Sequence, residues 1–115
     1  MTKAFNNIKV LDLSDRISGA WAARLFGDFG AEVILGEPES GHITRHLSPK
    51  TEDQESLMHQ FVNWNKKSTP LDLENITKLT EKADVVITTQ NQTAVDQLKI
   101  KSIHLSITPH GLTGP

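Results

Sequence analysis

Val10–Arg45 reads VLDLSDRISGAWAARLFGDFGAEVILGEPESGHITR, and its punctuation decides the fold. The apolar run Val10–Leu13 stops at a polar loop. Ser18-Gly19 then opens a segment with Trp21, Leu25 and Phe29 at i, i+4 and i+8, with Ala22 and Phe26 beside them. That is the period of a helix, and the spacing predicts Trp21, Leu25 and Phe29 on its packed face. Gly30 stands where a helix C-cap glycine belongs. A second strand follows at Ala31–Gly36, apolar on both sides, as in a parallel sheet covered by helices. The unit is strand–helix–strand, with a polar loop at each strand's C-terminal end.

Outward from this unit the alternation continues. Glu37–Asp53 is a long loop rich in Pro, Gly, Ser and charge, a length that in compact domains marks function or mobility. A helix is expected over Glu52–Val62 with Leu57, Met58, Phe61 and Val62 buried. A short strand is expected over Ser68–Leu73, with Pro70 near an edge. A helix follows over Asn75–Lys82, with Asn75 as a possible N-cap. Strands are expected at Val85–Thr88 and Ser102–Thr108, with a helix over Gln92–Leu98 between them. The result is one α/β domain over residues 1–115. It is a three-layer, Rossmann-like fold with a mostly parallel sheet of about five strands and right-handed crossovers. Ligand crevices of such sheets lie beyond the strand C-termini. Here those are Ser14–Gly19, Glu37–Gly41, Thr88–Gln92 and Thr108–Gly111.

Composition sets the outer bounds. The chain has 115 residues, a formal net charge of −2 and 37% hydrophobic residues, which suits one small domain. No basic stripe favours nucleic acid. There is no cysteine, so neither a disulfide framework nor a thiol nucleophile is available. No apolar run approaches the roughly 20 residues needed to span a bilayer. The N-terminus lacks the apolar core of a signal peptide, so a cytoplasmic domain with no membrane partner is expected.

Candidate chemistry is modest. Ser14–Ala20 has two readings, a structural helix cap or an anion contact at the helix amides. It is not G-x-G-x-x-G and has no Walker lysine. Glu37 occupies the place of a Rossmann ribose-binding acid, or is an exposed loop acid. Of the histidines, His42 and His46 are four apart in a loop without a third ligand at metal spacing, so no metal is expected. His59 and His104 read as packed or exposed. Trp21 and Trp64 are expected in the core rather than stacked on a base. Lys66-Lys67 could steer a phosphate but reads rather as a solvated turn. A receiver domain fits the length but is rejected: Asp12 and Asp15 are not adjacent acids, and the last strand ends in Thr108-Pro109 rather than a lysine.

Taken together, several blocks resemble the N-terminal part of the family III CoA-transferases. They are Ile8–Ser14, Gly19 with Ala22, Gly30–Ile34, Glu37-Pro38, Gly41 and Arg45, then Asn63-Trp64-Asn65-Lys66-Lys67-Ser68, Leu71-Asp72-Leu73, Ala83–Val86, Ser106-Ile107 and Gly111–Pro115. They occur in the family's order across nearly the whole chain. The resemblance implies a CoA-binding N-terminal domain of an enzyme that moves CoA between an acyl-CoA and a carboxylic acid. It implies CoA contacts at Ile17, Ser18, Gly19, Glu37, Pro38, Leu71, Asp72, Leu73, Thr89 and Gln90, with CoA as substrate. It implies as partners acyl-CoA or CoA, and the remainder of a parent chain or a second copy in a homodimer. The family's acyl-carrying aspartate follows the Gly-x-Thr-Gly-Pro motif, so no catalytic residue is expected within residues 1–115. The family's Glu-Asn-Phe is here Thr88-Thr89-Gln90-Asn91, and the loops after Leu73 and Gln90 are short. These departures keep open an alternative: a degenerate, non-catalytic domain of the same fold serving assembly or interaction.

Overall fold

The computed structural model describes residues 3–113, so Gly114 and Pro115 of the terminal motif lie outside it. The elements are β1 (Lys9–Asp12), α1 (Ile17–Asp28), β2 (Glu32–Glu37), α2 (Leu57–Val62), β3 (Lys66–Pro70), α3 (Leu73–Lys82), β4 (Val85–Thr88), α4 (Gln92–Asp96) and β5 (Ile103–Ser106). A short 3-10 turn spans Ile43–His46. All strands are parallel in the order β3-β2-β1-β4-β5. The chain therefore steps outward from β1 in one direction, then crosses back to β4. The reversal falls between β1 and β4, where a doubly wound sheet opens its crevice.

The inner strands are buried on both faces, and strand residues alternate between them. Val10, Val33, Val85 and Ile87 meet Ala23 of α1, with Phe26 and Phe5 beside them. Leu11, Leu13 and Val86 meet Leu79 of α3, Ala83 just past its end and Leu98 beyond α4. Each fully buried aliphatic side chain of this kind contributes roughly 1.5–3 kcal/mol.

The buried side of α1 is its small residues. Gly19, Ala20 and Ala23 face the sheet, so the helix lies close to it. A Cβ at Gly19 would overlap Ser14 and press on Thr89 Cγ2 at 3.0 Å. This reverses the expectation for the 3.6-period stripe: Trp21, Leu25 and Phe29 are substantially exposed. The large side chains do not fit between helix and sheet where glycine and alanine set the spacing. Trp21 instead stacks on Phe61 of α2, centroids 5.5 Å apart, with the Arg24 guanidinium over the Phe61 ring at 4.4 Å. Leu57 and Phe61, expected inside, are half exposed, and Trp64 is 61% exposed. Val62 alone of that set is buried. The core reading of both tryptophans is corrected accordingly.

Boundaries shift for local reasons. Gly30 holds φ +105° just past α1, the left-handed geometry of a helix stop. α2 begins at Leu57, not Glu52, because Ser56 caps it by accepting from the His59 amide. The N-cap of α3 is Asp72, which accepts from the Asn75 amide, so Asn75 lies inside the helix. Lys66 and Lys67 open β3 as an edge strand that Pro70 ends.

Candidate functional site at the C-terminal edge of the sheet

The β1–α1 loop, residues 13–16, sits at the point of reversal and is held at every turn. Gln90 Nε2 donates to the Leu13 carbonyl at 2.6 Å. Asp12 Oδ1 accepts from both the Ser14 amide, 3.0 Å, and the Ser14 hydroxyl, 2.6 Å. His42 Nε2 donates to the Ser14 carbonyl at 2.8 Å. The Asp15 amide donates to Thr89 Oγ1 at 2.9 Å, and that hydroxyl donates to the Asp15 carboxylate.

Two clefts open on either side of this loop. One, about 480 Å³, is lined by Asp15, Arg16, Thr89, Gln90, Thr108 and His110 among others. The second, about 290 Å³, is lined by Asp15, Pro38, Ser40, His42, Leu71 and Gln90 among others. Asp15 and Gln90 line both, so the clefts are neighbours divided by the loop.

The ten sequence-expected contact residues fall into different places. Pro38 and Leu71 line the second cleft, Thr89 the first and Gln90 both. Ile17, Ser18 and Gly19 form the first turn of α1, whose N-cap, Arg16, makes no side-chain capping bond. The amides of that turn are therefore the helix's orphan donors. Gly19 is buried against Ser14 and Thr89. Asp72 is occupied by Asn75, accepting from its amide and its side-chain nitrogen. Leu73 is 82% exposed and borders a separate cleft between α3 and the α4–β5 connection.

Glu37 is engaged by its own fold. Arg45 grips both carboxylate oxygens at 2.7 and 3.2 Å, and Ser68 donates to one at 2.9 Å. Burial pushes this acid up, but the Arg45 and Ser68 hydrogen bonds and the Arg45 charge outweigh it, leaving Glu37 below its ordinary range.

Below the loop lies a polar cluster that sequence reasoning missed. Lys66, read as part of a solvated turn, is buried; its side chain is 2% exposed. Its ammonium spends all three protons, on Asp12 Oδ2 at 2.8 Å, the Ala20 carbonyl at 2.8 Å and Asn63 Oδ1 at 2.7 Å. Burial pushes Lys66 below its usual range, opposed by the Asp12 carboxylate. Asn63 Nδ2 lies 3.1 Å from Thr44 Oγ1 and 2.9 Å from His59 Nδ1. Thr44 Oγ1 lies 2.7 Å from His42 Nδ1, which also accepts from the Thr44 amide. His59 faces Glu37 across 4.0 Å. Burial, reinforced by Arg45, holds His59 down to about 4. The available signal was the alternation of β1: Asp12, an acid between Leu11 and Leu13, has to be buried and so needs a buried cation.

No group of three or more His, Cys, Asp or Glu among the described residues is placed to hold a metal ion. No helix among them is long and apolar enough to cross a membrane.

Residues 5–112 match the family model described as CoA-transferase family III. The chain is 35% identical over 104 residues to formyl-CoA:oxalate CoA-transferase of Streptomyces avermitilis, covering 85% of this chain and 25% of that protein. It is 32% identical over 130 residues to human succinyl-CoA:glutarate CoA-transferase, covering 98% of this chain and 30% of that protein. Among solved structures, a CAIB/BAIF family protein from Brucella suis superposes with TM-score 0.88 at 27% identity, over 100% of this chain and 36% of that one. Rv3272 from M. tuberculosis superposes with TM-score 0.82 at 26% identity, over 99% and 37%. The chain thus spans between a quarter and a third of the length of these curated relatives.

Proposed function

The chain belongs to CoA-transferase family III, and from that membership we propose that it is the CoA-binding N-terminal domain of an acyl-CoA transferase. The observation that carries this is the pair of adjoining clefts at the sheet's point of reversal, joined through Asp15 and Gln90. A CoA molecule is long, with a flat base, a charged diphosphate and a thin pantetheine arm. It suits two shallow clefts divided by a ridge better than one deep cavity.

The roles follow from the chemistry of each wall. Pro38 and Leu71 offer apolar surface to the base. The uncapped amides of α1's first turn, with the exposed Arg16 beside them, offer donors and positive potential to phosphate oxygens. Gln90 anchors the dividing loop, and Thr89 ties down the Asp15 carboxylate. Glu37, held by Arg45 and Ser68, orders the rim rather than gripping a ribose. None of these residues corresponds to the family's acyl-carrying aspartate, so the domain holds CoA and does not itself take up the acyl group.

Calorimetric titration with CoA tests the reading. Saturable heat with a dissociation constant below 1 mM, weakened at least tenfold by Leu71→Asp, is the expected result. Absence of saturable heat at millimolar CoA would overturn it. That outcome would favour the second reading, a non-catalytic assembly domain. The tied-up Glu37 and the exposed Trp21, Phe61 and Trp64 favour that second reading.

A further inference from the structure

Two arms of the polar cluster lead from Lys66 and end on one residue. The short arm runs from the ammonium to Asp12 Oδ2, and the other oxygen of Asp12 takes the Ser14 amide and hydroxyl. The long arm runs through Asn63, Thr44 and His42 to the Ser14 carbonyl. Ser14 is therefore held on its amide, its hydroxyl and its carbonyl. No other residue of the loop has all three groups fixed.

Apart from the Thr44 hydroxyl, the direction of each hydrogen bond on the long arm is forced. An ammonium only donates, so Asn63 Oδ1 accepts and its Nδ2 must donate onward. The two Nδ2 protons go to Thr44 Oγ1 and His59 Nδ1. His59 therefore carries its proton on Nε2, facing Glu37. A backbone carbonyl only accepts, so His42 carries its proton on Nε2, and its Nδ1 accepts from the Thr44 amide. The Thr44 hydroxyl, having accepted from Asn63, has one proton for the two ring nitrogens that face it, His42 Nδ1 and His59 Nδ1, each at 2.7 Å. Along the long arm donation runs from Lys66 toward the Ser14 carbonyl, whereas on the short arm Lys66 and Ser14 both donate to Asp12.

We propose that Lys66, Asn63 and His42 are positioning residues: they act through Ser14 to set the β1–α1 loop that divides the two clefts. The consequence for ligand binding rests on the CoA reading; the consequence for the loop does not. The geometry makes the loop rigid before a ligand arrives, which lowers the entropy cost of binding. It also explains why a lysine is buried in so small a domain. A hydrophobic residue in its place would fill the volume but would not orient Asn63.

Two measurements test this. The first is the tautomeric state of His42 and His59 by nitrogen-15 NMR of the whole chain at pH 7. Neutral, Nε2-protonated rings at both positions are expected, and an Nδ1-protonated His42 would overturn the proposal. The second is amide exchange at Ser14 and Asp15 together with CoA affinity, in His42→Gln, His42→Phe and Asn63→Asp. Gln retains a donor at the Nε2 position and should keep exchange within threefold of wild type. Phe removes the donor and should speed exchange at least tenfold and weaken CoA by a similar factor. Asn63→Asp still accepts from Lys66 but cannot donate, so His59 should become protonated beside the new carboxylate. Unchanged Ser14 and Asp15 exchange in His42→Phe would contradict the proposal, even if Asn63→Asp failed to fold. Faster exchange with no CoA binding in wild type would uphold the positioning role and remove the CoA reading.

Discussion

The two walls of the crevice are built differently. On the β1 side, the amides of Leu13, Ser14 and Asp15 and the carbonyls of Leu13 and Ser14 are engaged by Ile87, Asp12, Thr89, Gln90 and His42, and a buried ion pair stands below the loop. On the β5 side, the hydroxyls of Ser106 and Thr108 are buried without a hydrogen-bond partner, and α4 is only five residues long. Buried hydroxyls usually find partners. One wall is therefore complete in itself, while the other carries polar groups that a ligand or a neighbouring segment would satisfy. Preorganisation is concentrated where the loop must not move, and the facing wall is left adaptable.

The comparison can be broken most severely at the ion pair. Lys66→Met leaves Asp12 as an uncompensated buried charge, and a loss of about 3–5 kcal/mol is expected, read as a lower urea midpoint at pH 7. An unchanged midpoint would mean that Lys66 and Asp12 are not buried together in solution.

The acid limb comes next. His59 titrates near 6.5 when unfolded and is held down to about 4 by burial, with Arg45 adding to it. Between those values the unfolded chain binds the extra proton, so stability falls as pH drops from about 6.5 toward 4. Glu37, depressed below 4.5, adds a loss of the same sign only below that pH. Urea titrations at pH 7 and pH 5 should show a smaller difference in His59→Gln than in wild type; equal differences would count against a buried, neutral His59.

A smaller effect is expected at Gly19→Ala. The added Cβ overlaps Ser14, and overpacking of this kind costs about 1–3 kcal/mol. Because the strain falls on the dividing loop, CoA affinity should fall more than stability does. The smallest effect belongs to the other wall. Thr108→Val removes an unpartnered hydroxyl, and a stability change within about 1 kcal/mol, with either no loss or a gain, is expected. A large loss there would show that Thr108 has a partner after all.

Much of this architecture is legible in the chain. Runs such as Val10–Leu13 and Val85–Thr88 are apolar on both faces, and only a covered parallel sheet needs that. Gly30 marks a helix stop by its required backbone geometry. The stripe Trp21, Leu25, Phe29 misled because periodicity reports which residues share a face, not which face is buried. The small residues Gly19, Ala20 and Ala23 share the opposite face, and close packing selected them. Ser56 and Asp72 set the starts of α2 and α3 by accepting from the His59 and Asn75 amides, a local capping pattern that apolar periodicity does not report. The buried cluster was least legible. Lys66 and Asp12 are 54 positions apart, and only the pairing of β1, β2 and β3 brings them together. Likewise Glu37 has the position of a ligand-binding acid, but its partners Arg45 and Ser68 become visible only once the loop has folded back.

Amide chemical-shift mapping during a CoA titration decides whether CoA lies across the divided edge of the sheet. Shifts should concentrate at residues 14–19, 38 to 41, 71 and 89–91, saturating together, with residues 97–102 in the separate α3–α4 cleft unaffected. Shifts confined to that separate cleft, or scattered without saturation, would contradict it.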